Sequence, residues 1–210
     1  MSDVMSATVH LRAAGSEDIN DIARIINDPP EPPMAKLLGQ ERATKLGTLL
    51  VKSGAYPTLE NTTLAEVDGR VAGVLACGAA EGPALMRELL PLAPRLLLLL
   101  GPVTPRAIYG FWLRGRLMFD IPPDAFVVSE LYVDEKLRNR GIGGRLLQHA
   151  NVLALEAKES RMWVETGVTN PARRLYERHG YRAVEEKTSI AYQRLTDSPG
   201  RVLMTKELSS

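Results

Sequence analysis

The feature that most constrains the fold is a basic, glycine-rich turn between an apolar segment and an amphipathic one. The segment Ala125–Val133 is strongly apolar, and the turn runs from Arg138 to Gly144. Apolar residues then recur at helical spacing along one side of about Gly141–Glu159. We therefore predict a strand, a turn and a long helix, and a helix of this kind buries its apolar side against a sheet.

The same turn has the composition of an anion-binding site. Glycines let the backbone approach a ligand closely, and the first amides of a helix have no partner within the helix and favour phosphate. Arg138 and Arg140 add positive charge. The dinucleotide fingerprint is excluded because Leu146 occupies its last glycine position, and no Gly-Lys-Ser/Thr ending of a nucleotide P-loop is present. Spacing alone predicts an anionic ligand without identifying it.

The overall composition excludes several protein classes. Of 210 residues, 45% are hydrophobic and 24% charged, which excludes disorder and fibrous arrays. The single cysteine, Cys77, cannot form an intrachain disulfide and argues against a Cys-based zinc site, so we expect no metal and interpret Cys77 as a small buried hydrophobe. The formal net charge of +1 argues against bulk attraction to nucleic acid or a membrane.

Targeting signals are not evident in the sequence. Residues Met1–Thr8 lack the basic and long apolar stretches of a secretory signal. The most apolar run, Leu96–Leu100, is far shorter than the roughly 20 residues of a membrane-spanning helix. We expect a cytoplasmic protein with neither nucleic acid nor a membrane as a partner.

The first 80 residues predict two strands of a hairpin, a preceding strand and two helices. Asp68-Gly69 is a strong two-residue turn signal, and Gly73 suggests a bulge or a close backbone approach. Ser16 is a candidate helix cap. The predicted elements are a strand at Thr8–Arg12, a helix from Ser16 to Asp28-Pro29-Pro30, a helix over Met34–Lys52, and strands at Thr62–Val67 and Arg70–Cys77.

The last 50 residues predict three more strands and a short helix. Asn170-Pro171 opens that helix, and Gly180 ends it. The strands are Arg161–Thr166, Tyr181–Lys187 and Val202–Lys206. The element order predicts a single α/β domain, residues 8–208, with a mixed sheet of about six or seven strands flanked by helices.

Residues 81–123 differ in composition from the rest of the chain, with seven prolines around leucine-rich pieces. We predict short helices broken by these prolines and inserted before the strand at Ala125–Val133. Two interpretations are open: a helical layer over the core, or a lid or dimer surface. A homodimer is therefore one possible assembly.

Arg138-x-x-Gly141-x-Gly143 resembles the pyrophosphate-binding motif of the GCN5-related N-acetyltransferase (GNAT) family. Leu131-Tyr132-Val133 precedes it as that family's fourth strand does. The segment Asn170–Tyr181 is similar to the family's N-x-x-A-x-x-L-Y-x-x-x-G-F segment, with Tyr181 replacing Phe. The resemblance is strong over Ala125–Leu208 and covers only element order over Thr8–Ala79. Residues 81–123 depart from it, because the simplest members have a short strand connection there.

The resemblance implies a GNAT fold and acetyl-CoA as co-substrate, bound where the strands at Leu131–Val133 and Arg161–Thr166 diverge. Backbone groups on the first strand would pair with the pantetheine arm, and the turn amides would hold the pyrophosphate. The implied cofactor-binding residues are Leu131, Tyr132, Val133, Arg138, Asn139, Arg140, Gly141, Ile142, Gly143, Gly144, Asn170 and Tyr176.

Two residues are candidate catalysts for direct acetyl transfer to a primary amine. Tyr176 would donate a proton to the departing thiolate, as the resemblance implies, because a phenol stays protonated at neutral pH; core packing is the alternative role. Glu130 is the single carboxylate in its apolar strand and is a candidate base or substrate anchor. Its alternative role is a bulge residue paired with an arginine. A backbone amide near Leu131 or Tyr132 would stabilise the oxyanion.

The sequence leaves the acceptor undefined, as either a small-molecule or a peptide amine. The competing hypothesis is a non-catalytic CoA-binding or sensor module with the same fold. Such a module would keep the phosphate-binding turn but would not transfer an acetyl group to an acceptor.

Overall fold

A seven-stranded mixed sheet forms the centre of the molecule, in a computed structural model that describes residues 8–27, 31–54, 56–80, 90–122 and 125–208. The strand order is β1-β2-β3-β4-β5-β7-β6, and every neighbouring pair is antiparallel except β4 and β5. The prediction of six or seven strands in an α/β fold is confirmed. The strands are β1 Val9–Ala13, β2 Thr62–Val67, β3 Arg70–Ala79, β4 Phe126–Val133, β5 Arg161–Gly167, β6 Arg182–Thr188 and β7 Gly200–Glu207.

The described ranges contain eight α-helices. One prediction was wrong: the expected helix over residues 34–52 is two helices, because Gly39 adopts a φ of +86° between them. A helix between β6 and β7 was not predicted; the Ser189 hydroxyl caps it by accepting a hydrogen bond from the Tyr192 amide. The helices are α1 Ile19–Asn27, α2 Pro32–Leu38, α3 Gln40–Lys52, α4 Ala93–Leu100, α5 Thr104–Gly115, α6 Ile142–Glu156, α7 Ala172–Arg178 and α8 Ile190–Thr196.

The predicted β2–β3 hairpin is confirmed, with β3 extending to Ala79. Asp68 and Gly69 have φ values of 51° and 73°, which a two-residue turn of this hand requires. Gly73 lies beside a register shift, and a Cβ there would come within 3.0 Å of Leu146 Cδ1 on α6. Both suggested roles of this glycine, bulge and close approach, are therefore present.

Helices pack on both faces of the sheet. Along β2 and β3, Leu64 and Val74 lie in a cluster with α1 and α3, whereas Ala65 and Leu75 lie in the main cluster with α6. This alternation is the period of two expected of strands buried on both sides. The apolar side of α6 thereby fixes the glycine-rich turn against the end of β4.

The predicted helical insertion before β4 is present as α4 and α5. It forms a layer over α2, α3 and α8 rather than over the sheet, with Leu37, Leu100 and Ala107 buried in one cluster and Leu113 with Tyr192 in another. Residues 81–89 and 123–124, and the predicted helix end at Asp28–Pro30, lie outside the described residues.

Asp18, rather than Ser16, organises the start of α1. Its two carboxylate oxygens each accept a 2.7 Å hydrogen bond from the Arg12 guanidinium, and Oδ2 also accepts one from the Gly15 amide. The hydrogen bonds from Arg12 hold the pKa of Asp18 below its usual value. The buried carboxylate thus joins β1 to the helix.

Replacing Asp18 by Asn is expected to lower the free energy of unfolding at neutral pH by about 2 to 4 kcal/mol, because a buried ion pair loses one charge. The depressed pKa means that this stabilisation is present above the unfolded pKa of about 4 and is lost as the pH falls through the folded value. Urea unfolding between neutral and acid pH measures it. Asp21→Asn is the control, since Asp21 is half exposed; an equal effect of both substitutions would contradict the prediction.

Candidate active site

The strands β4 and β5 separate at the middle of the sheet. They pair in parallel only where Phe126, Val127 and Val128 face Met162, Trp163 and Val164. On its other edge, β4 has a register shift that leaves Ser129 as the extra residue, between Val128 opposite Cys77 and Glu130 opposite Ala76. Beyond the shift, the edge of β4 facing β5 offers main-chain donors and acceptors to an extended ligand.

The glycine-rich turn lies directly after this open stretch of β4. Asn139 and Gly141 have φ values of 63° and 80°, and α6 begins at Ile142. The first backbone hydrogen bond of the helix is donated by Arg145 to the Gly141 carbonyl at 3.0 Å. The amides of Ile142, Gly143 and Gly144 therefore precede the helical hydrogen-bond ladder, as an anion-binding helix start requires.

Two of the glycines also permit close packing of α6 on α7. A Cβ on Gly143 would lie 3.0 Å from Leu175 Cδ2, and one on Gly144 would lie 3.0 Å from His179 Nε2. His179 is itself fixed by a 2.9 Å contact between Nδ1 and the Leu175 carbonyl. These positions therefore have a structural reason for glycine in addition to the predicted ligand contact, whereas Gly141 has only its positive φ.

Gly141→Ala is expected to weaken CoA binding about five- to tenfold, because an alanine at this φ carries roughly 1 to 2 kcal/mol of strain that draws the amides out of position. Gly69→Ala is a matched control: its φ is 73° and, as at Gly141, a Cβ would meet nothing within 4 Å. Both variants should lose similar stability in thermal unfolding. Only Gly141→Ala should change the dissociation constant in calorimetry, and an equal change in both would contradict the assignment.

Asn170 lies just before α7, and Tyr176 lies within it. Tyr176 is 5% exposed and packs edge-on against Tyr181, with ring centroids 5.6 Å apart. Burial, followed by the nearby Tyr181 and Glu130, raises the pKa of Tyr176 well above its usual value. Its hydroxyl is therefore protonated at neutral pH. Asn170 caps α7 by accepting a 2.9 Å hydrogen bond from the Ala172 amide.

The surroundings of Glu130 change its proton affinity. Burial and the charge of Glu31 raise its pKa to about 7, against hydrogen bonds from Tyr56 and Tyr132 and the charge of Arg114. The residue that bulges is Ser129, whose hydroxyl donates to the Ala76 carbonyl at 3.1 Å. A carboxylate with this pKa exchanges a proton near neutral pH.

Sequence reasoning missed two charged residues beside Glu130. The Tyr132 hydroxyl donates to Glu31 Oε1 at 3.2 Å, just before α2. Arg114, on the insertion helix α5, interacts electrostatically with Glu31 and Glu165. Neither residue had a detectable signal, since Glu31 lies among prolines and Arg114 is one of several arginines in an apolar helix.

A cavity of about 210 Å³ opens between α2, α8 and the end of β5. Its charged lining residues are Glu31, Asp197 and Arg201. Arg201 pairs with Glu165, and Asp197 pairs with Lys36 at 2.9 Å. Glu31 therefore lines this cavity and also acts electrostatically on Glu130. A separate cavity of about 570 Å³ lies near the opposite end of β4 and is lined by Cys77 and His149.

Cys77 does not have the properties of a nucleophile. Burial raises the pKa of its thiol to about 12, so the thiolate is scarce at neutral pH. Within the described ranges, no cluster of three or more histidine, cysteine, aspartate or glutamate side chains is arranged to hold a metal ion.

Comparisons with known proteins agree with this geometry. A sequence model described as an acetyltransferase (GNAT) domain matches residues 108–183. No curated protein matches the chain. Among solved structures, a histone acetyltransferase HPA2-related protein from Corynebacterium glutamicum has a TM-score of 0.64 at 16% identity, over 97% of this chain and 98% of the other.

Two insect enzymes are also similar in structure. Drosophila melanogaster polyamine N-acetyltransferase, which forms N-acetylagmatine, has a TM-score of 0.62 at 16% identity, over 96% of this chain and 100% of the other. Arylalkylamine N-acetyltransferase 2 from Aedes aegypti has a TM-score of 0.61 at 16% identity, with the same coverage. At these identities the structures show a common fold. The family match, which spans the turn and α7, and the shared fold make this chain similar to GNAT acetyltransferases in both sequence and structure.

Proposed function

We propose that this protein transfers the acetyl group of acetyl-CoA to a primary amine, by direct attack within a ternary complex. The observation that carries the proposal is the open stretch of β4, which connects the start of α6 to Glu130. One end of this stretch has amides suited to phosphate, and the other has a carboxylate with a pKa of about 7. A thioester held along it would lie beside a base.

Acetyl-CoA would be bound mainly by backbone groups. Residues Leu131, Tyr132 and Val133 would pair with the pantetheine arm, and amides of residues 139–144 would hold the pyrophosphate. Arg138 is positioned beside them, since its Nε donates to the Val133 carbonyl at 3.2 Å. Arg140 is exposed next to the turn and would add positive charge.

The chemistry needs one proton removed and one supplied. Glu130 would accept the proton of the ammonium form of the acceptor, which leaves a neutral amine to attack the thioester carbonyl. A β4 amide would stabilise the negative oxygen of the tetrahedral intermediate. As the carbon–sulfur bond breaks, Tyr176 would donate its proton to the thiolate. The nitrogen would then lose its remaining excess proton to the Tyr176 phenolate, directly or through water, so the products are an amide and CoA and the tyrosine is restored.

The acceptor would be a small cationic amine. Glu31 lies between the 210 Å³ cavity and Glu130, so a carboxylate faces the place where an ammonium group must enter. The insect neighbours named above are a polyamine and an arylalkylamine acetyltransferase, which supports testing both amine classes.

Release of free CoA thiol from acetyl-CoA, measured with a panel of agmatine, spermidine, tyramine and a lysine peptide, tests the proposal. We expect turnover with at least one amine and none with its N-acetylated form. Calorimetry with CoA separates the alternatives. Binding of CoA without turnover on any amine would favour the sensor module, and failure to bind CoA would overturn both.

A further inference from the structure

The outer face of the insertion helices is unusually apolar. Of twelve large hydrophobic side chains that are exposed among the described residues, eight lie between positions 90 and 118. Leu98 is 86% exposed and Trp112 is 54% exposed. Such a concentration on one segment marks a binding surface rather than scattered surface residues. The eight side chains, the α4–α5 face, are Leu90, Leu97, Leu98, Ile108, Tyr109, Phe111, Trp112 and Met118.

The segment that carries this face is attached to the domain on its inner side. Judged only by its length and composition, the segment Leu90–Gly115 is long and apolar enough to cross a bilayer, although its longest uninterrupted apolar run is short. However, Ala107 and Leu113 are buried, and Arg106 donates hydrogen bonds of 3.1 Å to the carbonyls of Leu37 and Leu195. The helices therefore lie along the surface of the domain, with one side packed and the other exposed.

The charge of this segment is of one sign. Between positions 90 and 119 every charged residue is an arginine: Arg95, Arg106, Arg114 and Arg116. Arg95 and Arg116 are exposed, Arg106 is exposed but hydrogen-bonded on the inner side, and Arg114 is half-buried. The first acid beyond the segment, Asp120, is exposed as well. The near-neutral charge of the whole chain conceals this local excess. A positively charged, apolar face complements an anionic lipid surface.

Aromatic side chains on α5 strengthen that match. Tyr109 stacks on Trp112 with ring centroids 5.9 Å apart, and the Arg116 guanidinium lies 5.1 Å from the Trp112 ring centroid. Tyrosine and tryptophan favour the boundary between headgroups and acyl chains, because one part of each ring is apolar and another is polar.

We propose that the α4–α5 face binds peripherally to an anionic membrane surface. A second copy of the chain is a poorer occupant, because both copies would bring a face of the same positive charge to a two-fold contact, and residues 90–119 contain no acid to pair with it. This proposal differs from the expectation, drawn from net charge, that a membrane is not a partner, and vesicle binding decides between the two. It does not depend on the acetyl-transfer reaction.

Co-sedimentation with vesicles tests the proposal. We expect binding to phosphatidylcholine vesicles that contain about one third phosphatidylserine, weaker binding without phosphatidylserine, and loss of binding at high salt. Leu98→Asp should reduce binding by roughly ten- to a hundredfold, since it removes one apolar side chain from the interface. Val152→Asp, on the exposed side of α6, is the matched control and should bind as the wild type does.

Two further measurements distinguish membrane binding from self-association and from a general loss of folding. In Trp163→Phe, Trp112 is the remaining tryptophan, and its emission should shift to shorter wavelength when vesicles are added. Arg95→Glu/Arg116→Glu should abolish the preference for phosphatidylserine. No binding by the wild type, equal loss in Leu98→Asp and Val152→Asp, or a dimer in sedimentation velocity that Leu98→Asp dissociates would each overturn the proposal.

Discussion

Replacing Glu130 by Gln is expected to lower kcat/KM for the amine by about 10²- to 10³-fold above neutral pH, with the affinity for CoA unchanged. The base must be unprotonated, and burial with the charge of Glu31 raises its pKa to about 7. Wild-type activity should therefore fall as the pH drops below about 7, and this limb should be absent from the variant. Initial rates of thiol release across the pH range provide the measurement.

Two companion substitutions make that result specific. Glu135→Gln removes an exposed carboxylate just beyond β4 and should leave the pH profile unchanged. Glu31→Gln removes a charge that raises the pKa of Glu130, so its acidic limb should move to lower pH. A limb that persists at the same pH in Glu130→Gln would assign the titration to another group and remove Glu130 as the base.

Tyr176→Phe is expected to reduce kcat by about 10²-fold without weakening CoA binding, because it removes one hydroxyl and retains the buried ring. The raised pKa keeps Tyr176 protonated, so the wild type should show no loss of activity from this residue in mildly alkaline solution. Stopped-flow or steady-state thiol release with saturating acetyl-CoA measures the effect.

Tyr181→Phe is a matched control for that substitution. Tyr181 packs against Tyr176, is 2% exposed, and its hydroxyl contacts Met162 Sδ at 3.7 Å. The Tyr181→Phe variant should retain wild-type turnover, although it also loses one buried tyrosine hydroxyl from the same part of the core. Equal activity of the two variants would assign Tyr176 to core packing, the alternative that its burial also permits.

Local rules of sequence were sufficient for several turns and helix ends near the candidate site. Asp68-Gly69 has the two positive φ values that its residue types favour, and Gly141 has the positive φ that starts α6. Asn170 caps α7 through its own side chain. In each case the determining interaction lies within a few residues, so a single stretch of sequence contains it.

The interactions that sequence could not predict join distant parts of the chain. Tyr132 donates a hydrogen bond to Glu31, which is 101 positions away in the sequence. Arg114, on the insertion helix α5, interacts electrostatically with the same glutamate. The break at Gly39 was missed because the apolar pattern continues through it, although α2 and α3 pack in different directions against α8 and α1. Such positions are determined by tertiary packing, which periodicity does not encode.

One side of the helix α5 is exposed to solvent and carries Trp112, and the other side carries the half-buried Arg114. Trp112 and Arg114 are two residues apart, which turns them about 200° around the helix axis. A rigid-body displacement of α5 would therefore also move the Arg114 guanidinium, whose positive charge lowers the pKa of Glu130. Under the proposed mechanism, a partner that shifted α5 from outside the domain would therefore change the pH at which activity falls, because the Arg114 charge acts on Glu130.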